Sequence, residues 1–200
     1  LRSFNLMLVG KAIGYLPYFI LVFHELGEMG LGKGKGRYEL VRVESIREFP
    51  DGQLEMRTVY DSQTQRLRDI NAQIDLSRFF SSLKPFAHLL TLRFVTPMRI
   101  KYQGSYTSQP QFHIILRTLL RRLSSLLYFH CGEELSLNYK EMIDEAQRIK
   151  ILKVRVDWID WERYSGRQEQ RMKLGGFVGR VTYRGDISKF LPFLKIGEYT

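Results

Sequence analysis

The clearest signal in the chain is a helical repeat. Phe112, Ile115, Leu116, Leu119, Leu120, Leu123, Leu126 and Leu127 recur at helical spacing, which predicts a helix over residues 111–129 with one core face. Ahead of it, Leu90, Leu92 and Phe94 alternate with Thr91, Arg93 and Val95, the pattern of a strand. The pair Thr96-Pro97 should end that strand, because proline brings no amide to a sheet ladder. Residues 99–102 can return as a short strand. Residues 139–148 read as a shorter, acidic helix.

A long strand follows over 151–164. Leu152, Val154, Val156 and Trp158 share one face, and Lys153, Arg155 and Asp157 the other. Trp158 is expected in the core. The last strand, over 174–184, puts Phe177, Gly179, Val181 and Tyr183 on one face and Val178, Arg180, Thr182 and Arg184 on the other. Asp186 can cap a short helix over 187–191, which Pro192 should disturb.

The first sixty residues read more coarsely. An apolar run suggests a buried strand over 4–9 and a helix over 15–26. The turn Pro50-Asp51-Gly52 then separates strands over 38–46 and 54–60. The unbroken apolar stretch covers only residues 15–23, about half of the roughly 20 residues a membrane span needs, so no span is expected. Residues 61–84 are polar and read as a linker or short helix.

The order from residue 85 onward is strand, helix, strand, strand, helix. One more strand would complete the β-α-β-β-α-β ferredoxin-like unit. The first segment repeats the tail of that order. The expected fold class is therefore α+β, with tandem ferredoxin-like (RRM-like) domains of which the first is incomplete in this chain. The expected organisation is residues 1–60 as the second half of a first domain, 61–84 as linker, and 85–200 as a second domain lacking its last strand. The chain begins at Leu1, within an apolar run, and reads as the C-terminal portion of a longer protein.

Charge narrows the function. The 200 residues carry a formal net charge of +10, which favours a polyanionic partner, with nucleic acid first and an anionic membrane surface second. A hydrophobic content of 44% supports a real core. The single cysteine, Cys131, excludes a disulfide framework and a zinc ribbon, and the four histidines show no metal spacing. No metal or cofactor is expected.

Two clusters suit phosphate. Gly27, Gly30, Gly32, Gly34 and Gly36 alternate with Lys33, Lys35 and Arg37, pairing close backbone approach with cations. The loop follows a helix and precedes a strand, and it lacks G-x-x-x-x-G-K-[ST]. An ATPase and a dehydrogenase are thereby excluded. Arg163, Arg167, Arg171 and Lys173 gather in the connection between the last two strands, beside Tyr164, which can stack on an unpaired base. On the main helix His113, Arg117 and Arg121 stand four apart in one stripe. That stripe is either solvated or phosphate-facing, with His113 as a candidate proton-transfer group. Arg180 adds a cation on the last strand.

Several motifs then resemble the C-terminal part of the RAMP-superfamily CRISPR-associated endoribonucleases, which process CRISPR repeat RNA. They are Trp161-Glu162-Arg163-Tyr164-Ser165-x-Arg167-Gln168, Gly175-Gly176-Phe177-Val178-Gly179, Tyr183-x-Gly185-Asp186 and Phe190-Leu191-Pro192-Phe193-Leu194. Leu92-Arg93-Phe94-Val95-Thr96-Pro97 and Arg121-Arg122-Leu123-Ser124-Ser125-Leu126 fit the start of the same unit. Pro17-Tyr18-Phe19 and Leu26-Gly27-x-x-Gly30-Leu31-Gly32 fit the end of a preceding one.

The resemblance implies metal-independent cleavage, in which a ribose 2′-hydroxyl attacks the adjacent phosphate. It implies CRISPR repeat transcript as partner, a cytoplasmic setting without membrane attachment, and room for other CRISPR-associated proteins or a second copy of the chain. The family's catalytic residues usually sit in its N-terminal domain, often with a histidine on the first helix, so none is carried over onto this chain. A non-catalytic RNA-binding subunit of a CRISPR effector complex is the alternative.

Overall fold

The computed structural model describes residues 3–32, 34–49, 53–68, 88–160, 162–165, 170–173 and 175–200, with the backbone alone for 162–165 and 170–173. The chain divides into two compact units. One holds residues 1–83 with 126–133, and the other holds 84–125 with 134–200.

In the first unit a 3-10 helix, Gly10–Tyr15, leads into helix α1, Leu16–Met29. Pro17 sits in the first turn of α1, where its missing amide costs nothing. Residues 4–9 are not a strand, although their apolar character predicts one. A strand needs a neighbouring strand to take its ladder, and none of the described residues supplies one there. Strands β1 (Arg42–Glu48) and β2 (Leu54–Asp61) pair antiparallel as the alternation predicts. The short β3, Arg66–Leu67, adds to β2. The predicted turn at 50–52 lies outside the described residues, as does 69–87 within the predicted linker.

The second unit is built on strand β4, Leu89–Met98, followed by a hairpin of β5 (Lys101–Tyr102) and β6 (Ser105–Tyr106). Helix α2, Phe112–Leu126, continues into a π-helical turn over Leu127–Cys131. Helix α3, Tyr139–Ala146, is capped by Asn138, whose side chain accepts from the Glu141 amide at 3.3 Å and donates to its carboxylate at 3.0 Å. Strand β7 (Lys150–Ile159), a hairpin of β8 (Glu162–Ser165) and β9 (Gln170–Lys173), strand β10 (Gly176–Arg184) and helix α4 (Leu191–Gly197) complete it.

The sheet order is β4-β10-β7, all antiparallel. The first, third and second strands of a ferredoxin-like unit lie side by side in that order. The helices cover one side of the sheet. Phe112 of α2 meets Tyr183 and Phe190, each at 5.3 Å between ring centroids. Leu116, Leu120, Ala146, Phe177, Val181 and Ile187 fill the same core. The Tyr183 hydroxyl donates to the Pro110 carbonyl at 2.5 Å, and burial pushes its pKa well above the ordinary tyrosine value.

Four further expectations are revised. Pro97 does not end β4. The ladder runs from Phe94 opposite Gly179 to Met98 opposite Phe177, so Val95 to Pro97 form a bulge. β4 is also an edge strand of the described sheet, and a bulged edge is where a strand admits proline. The predicted long strand over 151–164 breaks at Asp160, and its outer part turns back as the β8–β9 hairpin. Trp158 is not core. β7 is the other edge strand, so Trp158 stays 41% exposed, with its indole N–H on Asp160 at 2.9 Å. Pro192 does not disturb the last helix but lies in its first turn, behind a short 3-10 turn, Ser188–Phe190.

Candidate nucleic-acid interface

The glycine loop turns out to be closed on itself. The amides of Leu31 and Gly36 donate to each other's carbonyls at 2.9 and 3.0 Å, and the Lys35 amide donates to Gly32 at 3.1 Å. Those three N–H groups are therefore spent on the turn, not held out to a phosphate. Gly27 serves packing. A side chain there would strike the Tyr38 carbonyl, whose residue is tied to α1 through its amide on Gly27 (3.3 Å) and its hydroxyl on Phe23 (2.6 Å). What the loop offers a ligand is the exposed side chains of Lys35 and Arg37. Gly30 and Gly32 have φ of +82° and +75°, and Gly34 at the tip is exposed. Lys33 lies outside the described residues, as do Arg167 and Trp161.

The basic connection is an antiparallel hairpin. Its register sets Arg163 opposite Met172, Tyr164 opposite Arg171 and Glu162 opposite Lys173.

On α2, Arg117 and Arg121 are exposed, as the stripe predicts. His113 is half-buried against the Tyr102 ring, 5.9 Å away edge-on. Burial first, then the charges of Arg117 and Lys150, hold its pKa below the ordinary 6.5. The folded protein then binds fewer protons at His113 than the unfolded chain does. Stability is complete above the unfolded value of 6.5 and falls as pH drops through it toward the lower folded value. His113→Gln should flatten that slope when urea midpoints are compared at pH 7.5 and 5.5. An unchanged slope would mean that His113 is not the group responsible.

A cationic surface on the second unit was not anticipated as a unit. On the side of the sheet away from the helices, β10 turns out Val178, Arg180, Thr182 and Arg184. Register puts Arg93 of β4 and Arg155 of β7 directly opposite Arg180, one on each side. The next row is Thr91, Thr182 and Lys153, and its two threonine hydroxyls lie 2.9 Å apart. The row beyond holds Leu89 and Arg184, and Lys150 opposite Arg184 sends its ammonium to the Gln147 carbonyl at 3.3 Å. Arg93, Arg155 and Arg180 are exposed, and none is in an ion pair with a described residue. Asp157, opposite Val178, is the acid on this side of β7. Like charges directly opposite on neighbouring strands oppose sheet formation. A row of three arginines is therefore a cost to the fold, which a bound polyanion would relieve.

Alternation gave each strand's faces, with Arg93, Arg155 and Arg180 all legible as outward residues. It did not say which strands are neighbours, and that alone makes the row. Arg117 and Arg121 belong to the helix layer, on the other side of the sheet from Arg180. The two sets are not brought together.

An α+β unit with an antiparallel sheet, helices on one side and cations on the other has the form of a ferredoxin-like module. The chain belongs to the CRISPR-associated endoribonuclease Cas6 family, whose model matches residues 92–200. A further model, described as an N-terminal domain, matches residues 2–72. Among solved structures the chain is similar to the Cas6 (TTHA0078) product complex, at 21% identity and a TM-score of 0.43, over 62% of this chain and 48% of that one. It is also similar to Thermus thermophilus Cas6 (TTHB231), at 14% identity and a TM-score of 0.44, over 74% of this chain and 59% of that one. The chain thus spans about half the length of the Cas6 structures it matches. No curated protein matches it.

Proposed function

We propose that this chain is the RNA-holding portion of an endoribonuclease that cuts CRISPR repeat transcripts, and that RNA lies on the outward side of the β4-β10-β7 sheet. The observation that carries the proposal is the arginine row Arg93-Arg180-Arg155, together with membership of the Cas6 family. Lys35 and Arg37 in the glycine loop, and Arg163, Arg171 and Lys173 in the β8–β9 hairpin, are secondary phosphate contacts in this reading.

Cleavage needs no metal in this scheme. The 2′-oxygen attacks phosphorus as a base removes its proton, and the bond to the 5′-oxygen breaks as an acid protonates it. The products are a 2′,3′-cyclic phosphate and a 5′-hydroxyl. Cations stabilise the charge that builds on the phosphorane. Burial favours the neutral form of the His113 ring, which could accept a proton. Its ring has no hydrogen-bond partner among the described residues, and it sits on the helix layer, so we place it outside the RNA track.

Domain boundaries near residues 60 and 84, with the first unit as the second half of another ferredoxin-like domain, belong to the same proposal. So does a cytoplasmic setting. No helix among the described residues is long and apolar enough to cross a membrane.

The test is incubation of the intact protein with repeat RNA in a metal chelator. Cleavage leaving a cyclic phosphate and a 5′-hydroxyl is expected. Saturable binding without any cut would favour the non-catalytic subunit instead.

A further inference from the structure

Sheets of this topology that read RNA bases do so with aromatic rings standing on their open side. This sheet has turned its rings the other way. Phe94 and Phe177 meet edge-to-face in the core, 5.0 Å apart. Tyr183 is fully buried with its hydroxyl on Pro110. Trp158 lies opposite Phe177, and its N–H is committed to Asp160. The open side of the three strands holds Arg, Lys, Thr, Val, Leu, Ile and one Asp, with no ring at any outward position. The Thr91 and Thr182 hydroxyls are hydrogen-bonded to each other.

A guanidinium can also recognise a base, since it donates well to guanine. Three arginines in one row, on neighbouring strands spaced about 5 Å apart, ask for more than a neutral acceptor. Only negative charge relieves the mutual repulsion of Arg93, Arg180 and Arg155.

Resting on the functional reading above, we infer that this side of the sheet takes RNA by its phosphates and reads no base. It is a sequence-independent track, and discrimination of the repeat must come from elsewhere in the protein. Arg184 and Lys153 extend the track along the strands.

The experiment is salt-dependent binding of the intact protein to three RNAs of equal length: the repeat, a shuffled repeat and oligouridine. The wild type is compared with a triple variant, Arg93→Gln, Arg155→Gln and Arg180→Gln. The triple variant should lose on the order of tenfold to a hundredfold in affinity by the same factor on all three RNAs. Its log–log salt slope should fall by about 2, at about 0.7 per phosphate contact on a single strand. Arg180→Lys alone should keep most of the affinity. Because the change relieves repulsion on an exposed face, the urea midpoint of the triple variant should equal or exceed the wild type's, which separates lost binding from lost folding. A loss confined to the repeat would show base reading and overturn the inference. No loss on any RNA, with the fold intact, would also overturn it. A wild-type protein that binds none of the three RNAs would sink the functional reading itself, and this inference with it.

Discussion

Gly179→Val is expected to cost about 3 kcal/mol or more and to leave little folded protein at 37 °C. Gly179 sits in the centre of β10 with φ +130°, a conformation that a β-branched residue adopts only under strain. Any side chain would also strike the backbone carbonyl of Arg155 on the neighbouring strand. The two penalties cannot be relieved together. Turning φ negative would break the register that sets Gly179 against both Val156 and Phe94, at the point where β4 bulges. Gly34→Ala is the matched control. It meets nothing within 4 Å and should move the urea midpoint little. If Gly179→Val and Gly34→Ala unfold at the same urea concentration, the central ladder is not arranged as described.

Phe112→Ala should cost about 3–5 kcal/mol, as for other fully buried aromatics. Phe112 is 1% exposed and is the ring on which the Tyr183 and Phe190 rings both close. Its loss opens a cavity where the helix layer meets the sheet, and two neighbouring rings lose their edge-to-face partner. A domain whose whole stability is about 5–15 kcal/mol would lose a large share of it. Phe129 lies on the turn that follows the same helix and is 73% exposed, so Phe129→Ala should stay within about 0.5 kcal/mol. Equal losses for the two variants, measured by urea unfolding, would contradict the assignment of the core.

What was legible in the sequence was local. The alternation through Phe177, Val181 and Tyr183 predicts the central strand and its faces, and the spacing from Phe112 to Leu123 predicts α2 and most of its core residues. Ile114 is buried beside Ile115, outside the predicted stripe, because the core wraps more than one face of the helix. What was illegible depended on distant partners. Residues 4–9 have strand composition and no strand beside them. Pro97 reads as a terminator until its place in a bulge is known. Trp158 reads as core until β7 proves to be an edge. The candidate interface failed for the same reason. Arg93, Arg155 and Arg180 stand far apart in the chain, and only the β4-β10-β7 order lines them up. The glycine loop invited the opposite error, since its composition suits a phosphate cradle while its amides close its own turn.

The most direct test of the account is arginine footprinting of the intact protein with phenylglyoxal, with and without repeat RNA. RNA is expected to protect Arg93, Arg155 and Arg180 and to leave Arg117 and Arg121 reactive. Protection of Arg117 and Arg121 with the sheet arginines still reactive would place the RNA on the helix layer and contradict it.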